Sequence, residues 1–131
     1  MIDVSCAIII DSQNRILVAQ RSATMPLPNK WEFPGGKVEQ GETAKQSLIR
    51  EIKEELDLSI IVVRRIASNS HSYGQKEINL IPFICKISGG EISLKEHQAY
   101  KWLKSNELLD LDWAEADVPI VRDLLSTYDD I

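Results

Sequence analysis

The stretch from Thr43 to Leu56 constrains the fold more than any other part of the chain. Leu48, Ile49, Ile52 and Leu56 recur at three- and four-residue steps, which lines them along one side of an α-helix. Thr43 and Gln46 form the T-x-x-Q pattern of a capping box, so the helix starts there, and it ends near Leu56. Glu51, Glu54 and Glu55 lie in the same segment. At ~100° per residue they span an arc of about 100° beside the apolar stripe. Such a helix packs by one side and presents carboxylates on the next. Like charges at this spacing weaken a helix by a few tenths of a kcal/mol per pair. A solvated, Glu-rich surface tolerates that cost, and a cation-binding site offsets it.

The apolar stripe needs a partner layer, and the flanking sequence supplies strands. Residues 2–10 are rich in Val and Ile and read as a strand. Residues 11–14 carry turn chemistry, and Arg15 to Gln20 reads as the returning strand. The prolines at 26 and 28 break regular structure before an apolar patch at Trp31 and Phe33. Ser59 to Ala67 is a β-branched run, Ser68 to Lys76 a polar loop, and Ile78 to Ile87 a further strand. Gly89-Gly90 suggests a hairpin turn into Glu91 to Leu94. Tyr100 to Leu103 reads as a short strand and Ser105 to Leu109 as a helical turn. Asp117 to Tyr128 reads as a closing helix with Asp117 as N-cap and Pro119 in its first turn. The order strands, helix, strands, helix predicts an α/β chain of the mixed α+β kind: one domain over 1–131, a mixed sheet sandwiched between helices.

Bulk properties narrow the function. The chain has 131 residues, 44% of them hydrophobic and 27% charged, the profile of a soluble globular domain. No apolar run approaches the ~20 residues needed to cross a bilayer. Residues 1–10 contain no Lys or Arg and so lack the basic leader of a signal peptide, which makes the cytoplasm the expected location. The net charge is −5 and there is no dense basic run, which argues against duplex nucleic acid as a partner. Arg64-Arg65 reads as one side chain up and one down on a strand. Cys6 and Cys85 are far apart in apolar stretches and read as free buried thiols, without the spacing of a structural zinc site.

The acidic helix has one more neighbour that bears on chemistry. Gly35-Gly36 precedes it, and a glycine pair lets backbone approach a ligand closely. Carboxylate oxygens suit hard divalent ions such as Mg²⁺ or Mn²⁺. The run from Gly36 to Leu58, GKVEQGETAKQSLIREIKEELDL, resembles the Nudix signature G-x5-E-x7-R-E-U-x-E-E-x-G-U, in which U is a bulky aliphatic residue. Gly36, Glu42, Arg50, Glu51, Ile52, Glu54, Glu55 and Leu58 match eight of its nine defined positions. The ninth is Asp57 in place of Gly, at a site expected to be left-handed. Asp enters that region more readily than most residues, at a cost of about 1 kcal/mol or less.

The resemblance implies the Nudix fold, hydrolysis of a phosphate chain, and a Mg²⁺ cofactor with Mn²⁺ possible. It implies Glu51, Glu55 and Glu54 as metal ligands, with the Gly35 carbonyl as a further one. Arg50 is expected to hold a neighbouring glutamate, and Glu42 to orient the loop or reach the metal through water. Glu54 and Glu96 are the two candidates for general base, and Glu96 also counts among the metal candidates.

AQRSA (19–23), WEFPGGK (31–37), KEHQAYKW (95–102) and ADVPIV (116–121) extend the resemblance to the MutT-like branch, which contains oxidised-guanine triphosphatases and CTP or methyl-dCTP pyrophosphohydrolases. By that similarity Arg21 contacts phosphate, Phe33 lines the base pocket, and Tyr73 and Lys76 make nucleotide contacts from a loop. Each has a plainer reading, Phe33 as core and the other two as loop residues. Asp117 is expected to read the base. An ionised Asp only accepts hydrogen bonds, which suits the guanine N1–H and amino edge or the cytosine amino group. Trp113 falls near the same corner, as packing or as a pocket wall. The expected partner is a small nucleotide, with monomer and homodimer both open. The competing readings are a nucleoside-diphosphate-sugar or ADP-ribose hydrolase, and a non-catalytic Nudix-fold sensor. Retention of every metal glutamate argues against the sensor.

Overall fold

A computed structural model describes residues 1–127, and the strand β1 (Ile2–Ile9) runs through its centre. Successive side chains of a strand point to opposite faces, and here both faces are covered. Cys6 and Ile8, with Ile10 beyond the strand, pack against Ile120, Val121 and Leu124 of the closing helix α2 (Val118–Thr127). Ala7 and Ile9 pack against Leu48, Ile52 and Leu56 of α1 (Ala44–Leu56). A strand buried on both sides reads as an unbroken apolar run, which is what Cys6 to Ile10 is. The result is the expected mixed sheet between helices.

β1 pairs in parallel with β7 (Lys76–Gly90), from Ile2 opposite Ile78 to Ile9 opposite Cys85. On its other edge it pairs antiparallel with β4 (Gly35–Lys37). The far edge of β7 is shared: β6 (Asn69–Tyr73) pairs with its first residues and β5 (Leu58–Arg65) with its later ones, both antiparallel. A second, antiparallel sheet has the order β3 (Trp31–Glu32), β2 (Ile16–Gln20), β8 (Ala99–Leu103). No helix among the described residues is long and apolar enough to cross a membrane. Cys6 and Cys85 are buried and free, and burial pushes both thiols up, Cys85 to about 12.

α1 begins and ends as its sequence dictates. The Thr43 hydroxyl accepts from the Gln46 N–H at 3.1 Å, and the Gln46 side-chain oxygen accepts from the Thr43 N–H at 2.9 Å. Asp57 closes the helix in the left-handed region, at φ 58° and ψ 34°, and its N–H donates to Lys53 O at 3.0 Å.

Two expectations are corrected and a third is refined. Residues 68–76 are not a polar loop: 69–73 form β6 and turn through Gly74-Gln75 into β7, with Tyr73 opposite Lys76. An alternating polar sequence conceals a strand that is exposed on one face. Gly89-Gly90 is not a hairpin turn, and residues 91–94 form no strand. β7 continues through both glycines, which lie opposite Ser59 and Leu58. A side chain on Gly90, at φ 89°, would run into the Asp57 carbonyl, so glycine here serves close strand approach. The third concerns Asp117. It ends a 3-10 turn, Glu115–Asp117, immediately before α2, and its carboxylate accepts from the Phe33 N–H at 2.8 Å. Tyr128, the expected end of the closing helix, lies outside the described residues.

Replacing Asp57 with glycine is expected to stabilise the protein by up to about 1 kcal/mol, because a left-handed residue no longer carries a Cβ. The Lys53–Asp57 ion pair at 3.2 Å is lost, but both partners are more than half exposed and such pairs contribute little. Urea titration of both proteins checks this; a loss of stability in Asp57→Gly contradicts it.

Candidate functional site

The site is built where α1 faces β4 and the loop that joins them. Arg50 is its hub. One guanidinium nitrogen donates to Glu51 Oε1 at 2.9 Å and to Glu54 Oε2 at 3.1 Å. The other donates to Glu42 Oε1 at 2.8 Å and to Lys37 O at 3.3 Å, while Nε donates to Glu42 Oε2 at 3.2 Å. Glu42 also accepts from the Glu39 N–H at 2.8 Å. These bonds, the Arg50 pair foremost, push the Glu42 carboxyl down to about 2. Arg50 therefore holds three glutamates, not one, and ties the loop to the helix.

Gly36 explains the glycine pair. A Cβ there would overlap all three atoms of the Glu51 carboxyl group, and one on Gly35 would strike the Ser5 carbonyl of β1. Bare backbone lets α1 and β4 close on each other with Glu51 between them. Helical spacing then separates the acids. Glu54 turns to solvent with its side chain 60% exposed, whereas Glu55 is buried.

Glu55 pairs with no basic side chain among the described residues. Its Oε2 is buried with no hydrogen-bond partner among the described residues. Burial first, then the charges of Glu51, Glu32 and Glu96, raise its carboxyl to about 9. Glu32, at the end of β3, is fixed from two sides: Arg21 Nη1 donates to Oε1 at 2.8 Å and the His97 ring lies 2.8 Å from Oε2. Glu32 and His97 were not anticipated as site residues. Glu32 lies outside the Nudix signature, and its signals are its place in WEFPGGK (31–37) and the alternation Trp31-Glu32-Phe33, which turns it away from the buried aromatics. His97 stands beside Glu96 in a segment that reads as loop.

A buried, unpartnered carboxylate oxygen amid like charges is the donor chemistry of a hard divalent ion. Glu51, Glu55, Glu32 and Glu96 supply oxygens alone, which fits. Among the described residues no three His, Cys, Asp or Glu side chains are gathered tightly enough to hold an ion as they stand. Arg50 engages Glu51 and Glu54 in this arrangement.

The expected base pocket is organised around Asp117. Phe33 and Trp113 stack with ring centroids 4.9 Å apart, and both are buried. The Tyr73 hydroxyl accepts from the Ala116 N–H at 2.8 Å, and the Asn69 amide donates to Ala116 O at 3.2 Å. The β6 hairpin thus grips the backbone next to Asp117. Lys76 is exposed across from Tyr73, and Arg21 donates to Pro26 O at 2.6 Å besides pairing with Glu32. Burial and the Glu32 charge push the Asp117 carboxyl well above its ordinary range. That favours the protonated form, which donates as well as accepts.

Fold and site together match known proteins. A profile of the NUDIX domain matches residues 1–124, and the chain belongs to the Nudix family. It is 37% identical over 122 residues to the CTP pyrophosphohydrolase of Escherichia coli K12, covering 93% of this chain and 90% of that one. It is 36% identical over 115 residues to the putative 8-oxo-dGTP diphosphatase 2 of Mycobacterium tuberculosis, covering 86% and 80%. The solution structure of the MutT protein of methicillin-resistant Staphylococcus aureus 252, a Nudix hydrolase, superposes with a TM-score of 0.76 at 44% identity, covering 95% of each chain. Nudix hydrolases generally use divalent metal ions, and the chain is a Nudix hydrolase of the MutT-like kind.

The acidic cluster has a consequence for stability. Because the folded protein holds Glu55 at about 9 against an ordinary 4.5, it keeps a proton that the unfolded chain has released across that range. The contribution is favourable below about pH 4.5 and declines as pH rises toward 9. Metal-free protein titrated with urea across this range is expected to lose stability with rising pH, and Glu55→Gln to show a flatter profile. Equal slopes in the two proteins would rule the assignment out.

Proposed function

We propose that the protein is a Mg²⁺-dependent nucleoside triphosphate pyrophosphohydrolase that converts a (d)NTP and water to a (d)NMP and pyrophosphate, with Mn²⁺ able to substitute. The observation that carries this reading is Glu55: a buried acid on the Nudix helix with an unpartnered oxygen, facing three other carboxylates. Glu51 and Glu55 would hold the metal first, with Glu54, Glu96 and the Gly35 carbonyl as further oxygens. A bound divalent ion supplies charge stabilisation on phosphoryl oxygens and lowers the pKa of an attacking water.

The chain's own residues do the remainder. Arg50 orients Glu51 and fixes the loop through Glu42. Glu96, next to the anchored His97, and Glu54 are the two candidates to take a proton from water. Arg21, held by Glu32 and the Pro26 carbonyl, would contact the phosphates. Phe33 forms a wall of the base site, Asp117 reads the base edge, Tyr73 supports Asp117 through Ala116, and Lys76 lies at the rim of the β6 hairpin. A carboxyl that both donates and accepts pairs with N3 and the amino group of cytosine, or with O6 and N1–H of guanine.

CTP, dCTP or 5-methyl-dCTP, and 8-oxo-dGTP are therefore the substrates to test, for nucleotide turnover or pool sanitation. The relatives named for CTP and for 8-oxo-dGTP stand at nearly equal identity. We read the chain as one domain acting on a free nucleotide.

Turnover across CTP, dCTP, 5-methyl-dCTP, dGTP, 8-oxo-dGTP, ADP-ribose and a nucleotide sugar tests the proposal, with monophosphate and pyrophosphate resolved. Metal-dependent pyrophosphate release from a triphosphate is expected, and Glu55→Gln is expected to cut kcat by about 100-fold or more without unfolding. Turnover of ADP-ribose or the nucleotide sugar alone would overturn the substrate class, and near-normal kcat in Glu55→Gln would overturn the metal assignment.

A further inference from the structure

His97 lies outside the Nudix signature, in the KEHQAYKW stretch (95–102), and has an unusual setting. Its side chain is 1% exposed, its Nε2 lies 2.8 Å from Glu32 Oε2, and its Nδ1 is buried with no partner among the described residues. A carboxylate only accepts, so the ring donates from Nε2. Leaving the other nitrogen buried and unpaired costs stability that an apolar side chain of similar size would not. Packing alone therefore gives no reason for a histidine here.

The segment around it supplies one. Ser93 N–H donates to Leu56 O at 2.9 Å and Lys95 N–H to Glu55 O at 3.1 Å, which fastens this strip to the last turn of α1. Gln98 N–H donates to Gln20 O at 3.0 Å, which fastens it to β2. Glu96 lies between these anchors, with Lys95 tied to the helix on one side and His97 tied to β3 on the other. Glu32, the residue His97 grips, and Glu96, its chain neighbour, are two of the three carboxylates whose charges bear on Glu55. The third, Glu51, is held by Arg50. His97 thus holds Glu32 directly and fixes the backbone beside Glu96, while Arg50 holds Glu51.

We propose that His97 is a positioning residue that sets Glu32 and Glu96 at the right approach to Glu55 for a divalent cation, with Glu32 belonging to the cation's oxygen surroundings. This rests on the reading of the Glu55 cluster as the metal site. The role is orientation through another group, as when partners hydrogen-bonded behind metal ligands tune affinity by about 10–100-fold.

Two substitutions separate this from packing. His97→Leu keeps volume and removes the donor; His97→Gln keeps a donor able to reach Glu32. Mn²⁺ affinity of the nucleotide-free protein is measured by electron paramagnetic resonance, together with kcat and KM on the best nucleotide and thermal unfolding. The expected result is Mn²⁺ binding weakened about 10-fold in His97→Leu, with kcat reduced and KM for nucleotide little changed. His97→Gln regains most of both, even though Leu is the more stable replacement. If His97→Leu does not fold, His97→Asn, too short to reach Glu32, takes its place. Unchanged Mn²⁺ affinity on loss of the donor, or a Gln variant no better than Leu, overturns the proposal, as does a wild-type chain that binds no Mn²⁺. If the Mn²⁺ pattern holds while the wild type hydrolyses no nucleotide, the positioning role stands and the pyrophosphohydrolase reading falls.

Discussion

One guanidinium set against too many carboxylates governs this structure. Arg50 reaches Glu42, Glu51 and Glu54 and also the Lys37 carbonyl, so a single side chain closes the loop between β4 and α1 and holds the exposed acids of the helix. It is itself 27% exposed, and its pairs with Glu54 and the more distant Glu39 are screened by water, so they add little to stability. Its effect is geometric: Glu51 is pinned beneath the bare backbone of Gly36. Glu55, the inner acid, stands among like charges.

The fold makes this arrangement tolerable. Leu48, Ile52 and Leu56 are fully buried against Ala7 and Ile9 of β1, so the helix is held by apolar contact that owes nothing to its charges. The capping box at Thr43 and the left-handed turn at Asp57 fix its two ends. A helix anchored in this way can carry a buried acid whose ionisation the protein disfavours, a pattern in which local cost and site chemistry coincide. The opposite core, around Phe33, Trp113 and α2, does the same for Asp117, which is held against the Phe33 amide while the β6 hairpin steadies Ala116.

The helix, its caps and its acidic face were legible because each rests on local spacing: three- and four-residue steps, T-x-x-Q, and a motif of fixed intervals. The central strand was legible for the same reason, since Cys6 to Ile10 has no polar interruption. Residues whose role depends on contacts distant in sequence were not. Glu32 becomes a site residue because β3 brings it to Arg21 and to His97, 65 positions away. Asp117 looked like a helix cap because its partner, Phe33, lies 84 positions earlier. Gly89-Gly90 carried a turn signal, but the glycines admit the Asp57 carbonyl, a demand that appears only when β5 pairs with β7. The β6 strand was hidden because its polar residues face solvent and its pairing is set by β7.

The central claim is that Glu55, a buried acid among like charges with an unpartnered oxygen, exchanges its proton for a divalent cation. Calorimetric titration of Mg²⁺ into metal-free protein at about pH 7.5, in two buffers of different ionisation enthalpy, reads the protons released on binding. The account predicts release of about one proton per protein, lost in Glu55→Gln. Binding whose heat is the same in both buffers would contradict it.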